Sequence, residues 1–222
     1  MEKKKNLVII PARGGSKRLP LKNTKLLGEI PLIVHSINYA KENGMDHIIV
    51  TTDDIYIKKI AIDAGVRVID RPSHLASDIS PTVDSLKHVL ENISESYEIV
   101  VLLQPTNPLR PKDLLKNAIK VFENGSFDSL MTVSRDKHKL GKIINNRFLP
   151  FNYKKGQRSQ DLEPLYFENG LLYLTKVQTV LKGEIIGENN FPYIVNDPYS
   201  RVDIDTEFDF EYAEYLLNRH FS

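Results

Sequence analysis

The sequence has no cysteine, and its charges nearly cancel. Without cysteine, disulfides, thiolate metal sites and a cysteine nucleophile are all excluded, and the composition fits a reducing compartment, so we expect a cytoplasmic protein. Thirty Lys and Arg residues stand against 29 Asp and Glu residues. This balance argues against nucleic acid or an anionic membrane as a partner, so any basic site has to be local.

Long hydrophobic runs are also missing. The basic start leads into an apolar stretch that ends at Pro11, which is too short for a signal peptide, and no later stretch approaches the length of a membrane span. The six histidines are scattered, which argues against a zinc or iron site. We therefore expect a soluble chain, and 222 residues with 41% apolar side chains suit one domain over 1–222.

Short β-branched runs alternate with longer amphipathic stretches in the first half of the chain. This rhythm is typical of buried parallel strands joined by crossover helices. It predicts an α/β fold with three layers around a mostly parallel, Rossmann-like sheet. The predicted strands are Leu7–Ile10, Ile48–Thr51, Val66–Ile69 and Ile99–Leu103, and the predicted helices are Pro31–Asn43, Asp54–Ala64, Thr82–Ile93 and Pro111–Glu123.

The rhythm changes in the second half. Two further strands are predicted, Asp128–Ser134 and Leu171–Thr175, but the residues between them mix charge, Asn and Gly without a clear period. We interpret 135–169 as an insertion, either a small β-rich lobe or an extended arm. The chain ends on a predicted helix, Thr206–Asn218. The apolar stripe of this helix, which we expect to pack on the sheet, is Phe208, Tyr212, Tyr215 and Leu216.

Two glycines and several basic side chains follow the first predicted strand directly. Open α/β sheets bind ligands at the carboxyl ends of parallel strands, and glycine lets backbone amides approach phosphate oxygens. The spacing fits neither a Walker loop nor a dinucleotide fingerprint. The loop indicates polyphosphate binding, with a solvated basic turn as the alternative. Its glycines and cations are Arg13, Gly14, Gly15, Lys17, Arg18 and Lys22.

Six blocks, in order, resemble the acylneuraminate cytidylyltransferase (CMP-sialic acid synthetase) family of the bacterial CMP-nonulosonate synthetase type. They cover essentially the whole chain. The resemblance implies a nucleotidyltransferase fold with a small inserted β-rich dimerisation arm at 135–169. It also implies transfer of CMP from CTP to a nonulosonic acid, N-acetylneuraminic acid or a legionaminic-type relative, for surface glycan synthesis. The blocks are Ile10–Asn23 (IPARGGSKRLPLKN), Arg71–Asp78 (RPSHLASD), Leu103–Arg110 (LQPTNPLR), Gln160–Leu162 (QDL), Asn169–Gly170 (NG) and Val202–Thr206 (VDIDT).

The resemblance also implies a nucleotide site. A triphosphate is suited by cations and backbone amides, and a pyrimidine edge by fixed donors and acceptors. Ser80 has a helix cap as its alternative role, and Arg71 an ordinary surface position. The implied phosphate ligands are Arg13, Ser16 and Lys17, and Lys22 is implied to bind the nucleotide where charge develops. The residues implied around the rest of the nucleotide are Asn23, Arg71, Ser80 and Thr82.

Asp203 and Asp205 stand two residues apart in a short β-like run, so their carboxylates project from the same side. Two such oxygen ligands can share a Mg²⁺ ion that also binds phosphate oxygens. The alternative is an exposed strand edge before a helix start, which is also how we interpret Asp209. The resemblance makes Asp205 catalytic together with Arg13 and with Lys22, which would neutralise developing charge.

The acid sugar has its own implied ligands. Gln104 follows a predicted strand at its carboxyl end and would enter the same crevice as the phosphate loop. The family places an arginine directly before the QDL block, but this chain has Ser159 there. Either Arg158 serves instead, or a cation such as Lys139 or Lys142 takes over, or the acid is held differently. The implied sugar ligands are Gln104, Arg158, Asn169 and Tyr173.

Three questions stay open at the level of sequence. The acid is one of several nonulosonic acids. A cytidylyltransferase for the eight-carbon acid Kdo has a similar opening block, and a non-catalytic nucleotide- or sugar-binding module could keep the same fold. Members of the family are homodimers in which the inserted arm reaches the partner, so we expect a homodimer with CTP and an acid sugar as small-molecule partners. The general base is also unassigned, because no side chain stands out for that role.

Overall fold

The computed structural model describes residues 6–220, without the side chain of His220. The basic start at 1–5 lies outside these residues. The elements predicted between residues 7 and 123 are all present, with ends that differ by a few residues. The strands are β1 Asn6–Pro11, β2 Leu26–Leu27, β3 Ile30–Pro31, β4 Ile48–Thr52, β5 Arg67–Asp70, β6 Ile99–Leu102, β7 Ser129–Asp136, β8 Gly141–Ile144, β9 Arg147–Pro150, β10 Leu165–Lys176 and β11 Asn190–Ile194. The helices are α1 Leu32–Glu42, α2 Ile55–Asp63, α3 Thr82–Glu91, α4 Leu114–Asn124, α5 Val177–Leu181 and α6 Glu207–His220.

Seven strands form one sheet in the order β11-β7-β10-β6-β1-β4-β5. β1 pairs in parallel with β4 and β6, and β4 with β5. β10 runs antiparallel to its neighbours β6 and β7. The predicted mostly parallel sheet is thus confirmed. The chain moves outward from β1 to β5 and resumes at β6 on the other side of β1, so a topological switch point lies between β1 and β6, where such folds bind ligands.

Helices cover both faces of this sheet, as the three-layer prediction requires. Side chains alternate along β1, so Val8 and Ile10 face one way and Leu7 and Ile9 the other. Val8 and Ile10 belong to the core formed with α1, α2 and α4. Leu7 and Ile9 belong to the core formed with α3 and α5. All four side chains are fully buried, so β1 is held rigidly and its carboxyl end is a fixed platform.

The last helix packs differently from our expectation. Phe208, Tyr212 and Tyr215 of α6 are exposed to 75%, 48% and 53%. The buried side of α6 carries Phe210 and Ala213 instead. The predicted stripe was therefore wrong for its three aromatic residues, whereas its fourth member, Leu216, packs against a small apolar cluster beside the phosphate loop. The helix meets this cluster and not the face of the sheet. The other buried members of that cluster are Leu19, Leu27, Leu32, Val202 and Ile204.

The stretch 135–169 contains a small sheet of its own. β8 and β9 form a two-stranded antiparallel hairpin between β7 and β10. The two ends of the stretch belong to the main sheet, where β10 pairs with β7 from Leu165 opposite Asp136. The hairpin exposes large apolar side chains, among them Ile143 (77%), Phe148 (53%) and Phe151 (63%).

No helix within residues 6–220 combines the length and the apolar character that crossing a membrane would require.

Candidate functional site

A cavity of about 520 Å³ opens at the switch point between β1 and β6. Its volume is in the range of clefts that hold nucleotide-sized ligands. The walls come from the loops after β1, β5 and β6 and from the start of α3. All eight implied nucleotide ligands line it. Its polar lining includes Arg13, Ser16, Lys17, Arg18, Lys22, Asn23, Arg71, Ser77, Asp78, Ser80, Thr82, Ser85, Gln104, Thr106 and Asp205.

The loop after β1 is fixed by hydrogen bonds from both sides. The Gly14 amide donates to Asp53 Oδ1 at 3.0 Å. A Cβ on Gly14 would lie 2.6 Å from Asp54 Oδ2, so only glycine allows this close approach. The Asn23 side chain donates to the Arg13 carbonyl at 2.9 Å. Gly14 therefore serves to dock the loop on the residues after β4.

Lys22 and Arg18 converge on one carboxylate. Lys22 Nζ donates to Asp205 Oδ1 at 3.0 Å and to the Ile204 carbonyl at 2.8 Å, and its side chain is only 11% exposed. Arg18 donates to Asp205 Oδ2 at 2.7 Å. Residues far apart in sequence, the phosphate loop and the VDIDT block, thus meet at one wall of the cavity. Asp205 balances two cations there.

Asp203 and Asp205 lie in an extended segment that is not a strand. Val202 and Ile204 are buried, at 3% and 0% exposure, and alternate with the two aspartates. The Ile204 amide donates to the Thr106 carbonyl at 2.8 Å. This alternation agrees with the predicted common side of the two carboxylates, although the segment joins the loop after β6 and not the edge of the sheet.

The pKa of Asp203 differs from that of an isolated aspartate. Loss of solvent contact raises the pKa of Asp203, a hydrogen bond from Thr106 lowers it, and the neighbouring Asp205 carboxylate raises it again. The net direction is upward. A carboxyl group whose pKa is raised by its surroundings favours an added positive charge nearby. Of the two implied metal ligands, Asp205 lines the cavity and Asp203 lies outside the lining.

Asn107 joins the segments that carry these groups. Its side chain is 1% exposed, and its amide donates to the Asn169 carbonyl at 3.1 Å and to the Val202 carbonyl at 3.0 Å. Gly170 has φ +74°, and a Cβ there would lie 2.7 Å from Asn107 Oδ1. The pairing of β10 with β7 shifts register between Glu168 and Tyr173, which marks a bulge in β10. Asn107 therefore holds the loop after β6, this bulge and the VDIDT block together.

Arg71 is buried at 8% exposure, so the alternative of an ordinary surface residue was wrong. It donates to the Thr51 carbonyl at 2.6 Å. Burial lowers the pKa of Arg71 to about 10, the charge of Asp53 opposes this, and the charge of Arg13 adds to it. Arg71 stays protonated at neutral pH and provides a fixed cation in the lining of the cavity.

Ser80 and Thr82 line the cavity at the start of α3. The residue that caps α3 is Pro81, and no side chain caps the helix through a hydrogen bond. The helix-cap alternative for Ser80 was therefore wrong. Its hydroxyl donates to the His74 carbonyl at 2.9 Å and lies 2.6 Å from Ser77 Oγ.

Gln104 is held at the mouth of β6 by a second buried arginine. Arg110 donates to the Gln104 carbonyl at 2.6 Å, to the Leu171 carbonyl at 2.7 Å and to Ser36 Oγ at 3.1 Å. Burial lowers the pKa of Arg110 to about 10, so it remains charged at neutral pH. Arg110 therefore fixes the backbone from which the Gln104 side chain enters the cavity.

Three of the four implied sugar ligands lie outside the lining of this cavity. Asn169 is 5% exposed and donates to Ser134 Oγ at 2.9 Å. The Tyr173 hydroxyl donates to Glu168 at 3.2 Å. Burial and the nearby Glu168 carboxylate raise the pKa of this tyrosine. Arg158 is exposed and donates to Asp161 at 2.8 Å and 3.3 Å.

Residue-by-residue interpretation missed several members of the site. Asp78, Thr106, Asn107 and Arg110 all stand within blocks that we quoted, yet we assigned them no role. Their contacts join segments far apart in the chain, and no spacing in the sequence predicts such pairs. The signal that was available was the density of polar residues at the carboxyl ends of buried strands.

Residues 7–222 match the sequence profile of the family described as "Cytidylyltransferase". The chain belongs to this family. A curated member, N-acylneuraminate cytidylyltransferase from Streptococcus agalactiae serotype III (strain NEM316), is 34% identical over 215 residues, covering 93% of this chain and 52% of the relative. The chain thus spans about half the length of that relative.

Other members of the family are matched along nearly their whole length. CMP-N,N'-diacetyllegionaminic acid synthase from Legionella pneumophila subsp. pneumophila is 32% identical, with 95% of each chain covered. Pseudaminic acid cytidylyltransferase from Campylobacter jejuni subsp. jejuni is 32% identical, with 96% of each chain covered. The names of these relatives refer to different acid sugars.

Solved structures show the same fold at low sequence identity. CMP:2-keto-3-deoxy-manno-octonic acid synthetase complexed with CTP superposes with a TM-score of 0.73 at 17% identity, covering 97% of this chain and 99% of that one. A 4-diphosphocytidyl-2C-methyl-D-erythritol synthase from Anaerococcus prevotii superposes with a TM-score of 0.71 at 15% identity, covering 97% of each chain. The predicted nucleotidyltransferase-like α/β fold is confirmed.

Proposed function

We propose that the chain transfers CMP from CTP to the anomeric hydroxyl of a nonulosonic acid and releases pyrophosphate. The observation that carries this proposal is the convergence of four cations on one cavity with an Asp205 carboxylate and the Gln104 side chain. The curated relatives at 32–34% identity support it, because their names describe CMP transfer to sialic, legionaminic or pseudaminic acid. The four cations are Arg13, Lys17, Arg18 and Lys22.

The chemistry follows from charge and position. The anomeric oxygen attacks the α-phosphorus, the bond from that phosphorus to the β-phosphate oxygen breaks, and the hydroxyl proton leaves to solvent. Such transfers depend on in-line positioning and on stabilising charge on the phosphate oxygens. Arg13 and Lys17 would hold the phosphates. Lys22, pre-oriented by its two hydrogen bonds on the other wall, would stabilise the charge that develops.

The donor set at Asp203 and Asp205 fits a Mg²⁺ ion. Magnesium is commonly bound in nucleotide sites by one or two carboxylates together with substrate phosphates and water. Among residues 6–220 no cluster of three or more His, Cys, Asp or Glu side chains is placed to hold a metal, so phosphate oxygens would have to complete the ligand set. A bound Mg²⁺ would supply charge neutralisation at the phosphates. Both aspartates would orient it.

The acid sugar would lie beyond Gln104, toward Tyr173 and the bulge of β10. Tyr173 and Asn169 are already hydrogen-bonded within the chain, and Arg158 is paired with Asp161. We therefore assign the sugar to the nonulosonic class without choosing a member of it. A cation for the sugar carboxylate would come from Arg158 after release from Asp161, or from Lys139 or Lys142 in the arm.

The hairpin of β8 and β9 would join two copies into a homodimer. Ile143 and Phe148 are directly opposite each other in the hairpin and are 77% and 53% exposed. Exposed large apolar side chains on a projecting hairpin are costly in water and are typical of a protein interface. A second copy of the chain is the partner that the family resemblance implies. The arm would thereby bring sugar contacts to the partner's cavity.

The test is pyrophosphate release in the presence of CTP, Mg²⁺ and a panel of acids. The panel contains N-acetylneuraminic, legionaminic, pseudaminic and Kdo acids, each also assayed with UTP in place of CTP. We expect release with CTP and one or more nine-carbon acids. Pyrophosphate release with Kdo alone would indicate that the substrate is the eight-carbon acid. No release with any acid would contradict the proposal and favour a non-catalytic binding module.

A matched pair of variants assigns the activity to this site. We expect Asp205→Asn to lose turnover, because it removes the charge that faces Lys22 and Arg18 with little change in volume. Asp63→Asn, at the end of α2, provides the control and should release pyrophosphate at the rate of the unmodified protein. Full activity of Asp205→Asn would exclude this cavity as the reaction centre.

A further inference from the structure

Two of the proposed phosphate ligands are held by a carboxylate of the chain itself. Asp78 Oδ1 lies 2.7 Å from Arg13 NH2, and Asp78 Oδ2 lies 2.6 Å from Lys17 Nζ. Arg13 also donates through its other terminal nitrogen to the Ala76 carbonyl at 3.3 Å. One aspartate thus presents both of its oxygens to the two cations that lead the phosphate loop, as a phosphate group would.

The segment that carries Asp78 has few other attachments. It consists of residues 73–80, begins with the 3-10 turn Ser73–Leu75, and closes on itself through the Ser80 contacts to His74 and Ser77. Ile79 next to Asp78 is 91% exposed, so this end of the segment has little apolar burial to hold it. Segments that depend on a few surface ion pairs open at low cost.

The charge on Asp78 is maintained at neutral pH. Hydrogen bonds from Lys17 and Arg13 hold the pKa of this carboxyl below its usual value. A triphosphate or pyrophosphate that binds the same two cations therefore meets a negative charge already in place. The two anions compete for the same two cations and repel each other at this short range, so phosphate binding weakens the hold of Arg13 and Lys17 on Asp78.

We propose that Asp78 is an internal anion that occupies Arg13 and Lys17 when phosphates are absent, sets the affinity for CTP and speeds release of pyrophosphate. This inference rests on the proposed function, because it assumes that the cavity takes a nucleoside triphosphate. Binding of the triphosphate displaces Asp78 and frees the segment 73–80. After transfer, return of Asp78 to the two cations favours departure of pyrophosphate.

The expected effect is modest, because exposed ion pairs are individually weak. Removing the charge of Asp78 takes away both the competing partner and its repulsion of phosphate. We expect Asp78→Asn to bind pyrophosphate and CTP about threefold to tenfold more tightly, mainly through slower dissociation. When pyrophosphate release limits turnover, the slower dissociation lowers kcat of Asp78→Asn by the same factor. The KM of this variant for CTP falls as well.

Calorimetric titration with pyrophosphate and with CTP, in Mg²⁺ and without acid sugar, tests this. Glu95→Gln is the matched control, since Glu95 pairs with Arg67 on the surface of the protein. Tighter binding by Asp78→Asn, with the control unchanged, supports the internal anion. Equal or weaker binding by Asp78→Asn overturns it and leaves the proposed function standing. If the unmodified protein binds neither ligand, the proposed function fails and this inference fails with it.

Hydrogen exchange on the unmodified protein keeps the inference testable if Asp78→Asn folds poorly. Pyrophosphate lacks the cytosine base that could order this segment in the CTP complex. We therefore expect pyrophosphate, by displacing Asp78, to speed amide exchange in residues 73–80. Protection of this segment, or no change at saturating pyrophosphate, would overturn the displacement of Asp78.

Discussion

The nucleotide end and the sugar end of the candidate site are built in different ways. At the nucleotide end the cations of the loop after β1 line one cavity and face it from a rigid strand. At the sugar end, Arg158, Asn169 and Tyr173 are paired with other groups of the same chain and lie outside the cavity lining. Under the proposed function, the implied nucleotide ligands are already assembled within one chain, whereas recognition of the acid would require rearrangement of the arm or a second copy.

The largest effect should come from Lys22, which tests whether the nucleotide end performs the chemistry. We expect Lys22→Met to reduce kcat by about a hundredfold to a thousandfold, the range seen when one preorganised charge donor is removed from a transition state. Methionine keeps the apolar stem packed. The control is Lys58→Met, which removes a surface pair with Asp70. A Lys22→Met protein that is folded and fully active would remove the main support for a preorganised nucleotide end.

The next effect concerns the hairpin and tests whether a second copy completes the sugar end. We expect Ile143→Lys with Phe148→Lys to weaken self-association about a hundredfold or more, because burial of each such side chain contributes about 1.5–3 kcal/mol. Sedimentation measures association, and CTP binding should be unchanged. Ile62→Lys on α2, another exposed isoleucine at 54%, is the control. A monomeric double variant with a normal KM for the acid would contradict the claim that a second copy completes the sugar end.

A smaller effect, on stability, is expected at Asn107, which connects the segments that form the two ends of the site. Asn107→Ala leaves the Asn169 and Val202 carbonyls without their donor in the interior. We expect the free energy of unfolding to fall by about 2–4 kcal/mol, since each orphaned buried polar group costs about 1–3 kcal/mol. Denaturant titration measures it. Asn92→Ala, which removes an exposed bond to His88, should change stability by less than about 0.5 kcal/mol. Equal losses for both variants would contradict the role of Asn107.

The smallest effect concerns Asp203, and its sign depends on pH. The folded-state pKa is raised, so Asp203 destabilises the fold as pH rises through that pKa, and below the unfolded pKa of about 3.9 this cost is absent. We expect Asp203→Asn to raise Tm at pH 7 by less than about 3 °C and not at pH 3.5. Turnover should fall at the same time. A lower Tm at pH 7 would contradict the raised pKa.

Local pattern predicted the first half of the fold well. β1, β4 and β6 are buried runs of mostly apolar residues, because both faces of a parallel sheet are covered, and such runs are visible in sequence. α6 was mispredicted because its apolar residues offer two stripes. The stripe through Phe210 and Ala213 is chosen by a cluster of loop residues that only the folded chain assembles.

In the candidate site, too, some residues follow from local sequence pattern and others only from tertiary contacts. Arg13, Lys17 and Lys22 follow a buried strand and could be proposed from the sequence. The ion pairs of Asp78 and the contacts of Asn107 cross large distances along the chain, so their partners are determined by topology. Ser159 marks where the resemblance to the family stops being specific, and the structure gives its neighbour Arg158 a partner within the chain.

The most direct measurement is mass spectrometry of the products formed from CTP and the acid that supports pyrophosphate release. Pyrophosphate alone does not distinguish transfer from hydrolysis of CTP, whereas the mass of the organic product does. We expect CMP joined to the acid, in equal amount to pyrophosphate, and none with Asp205→Asn. Free CMP with unchanged acid would contradict cytidylyl transfer.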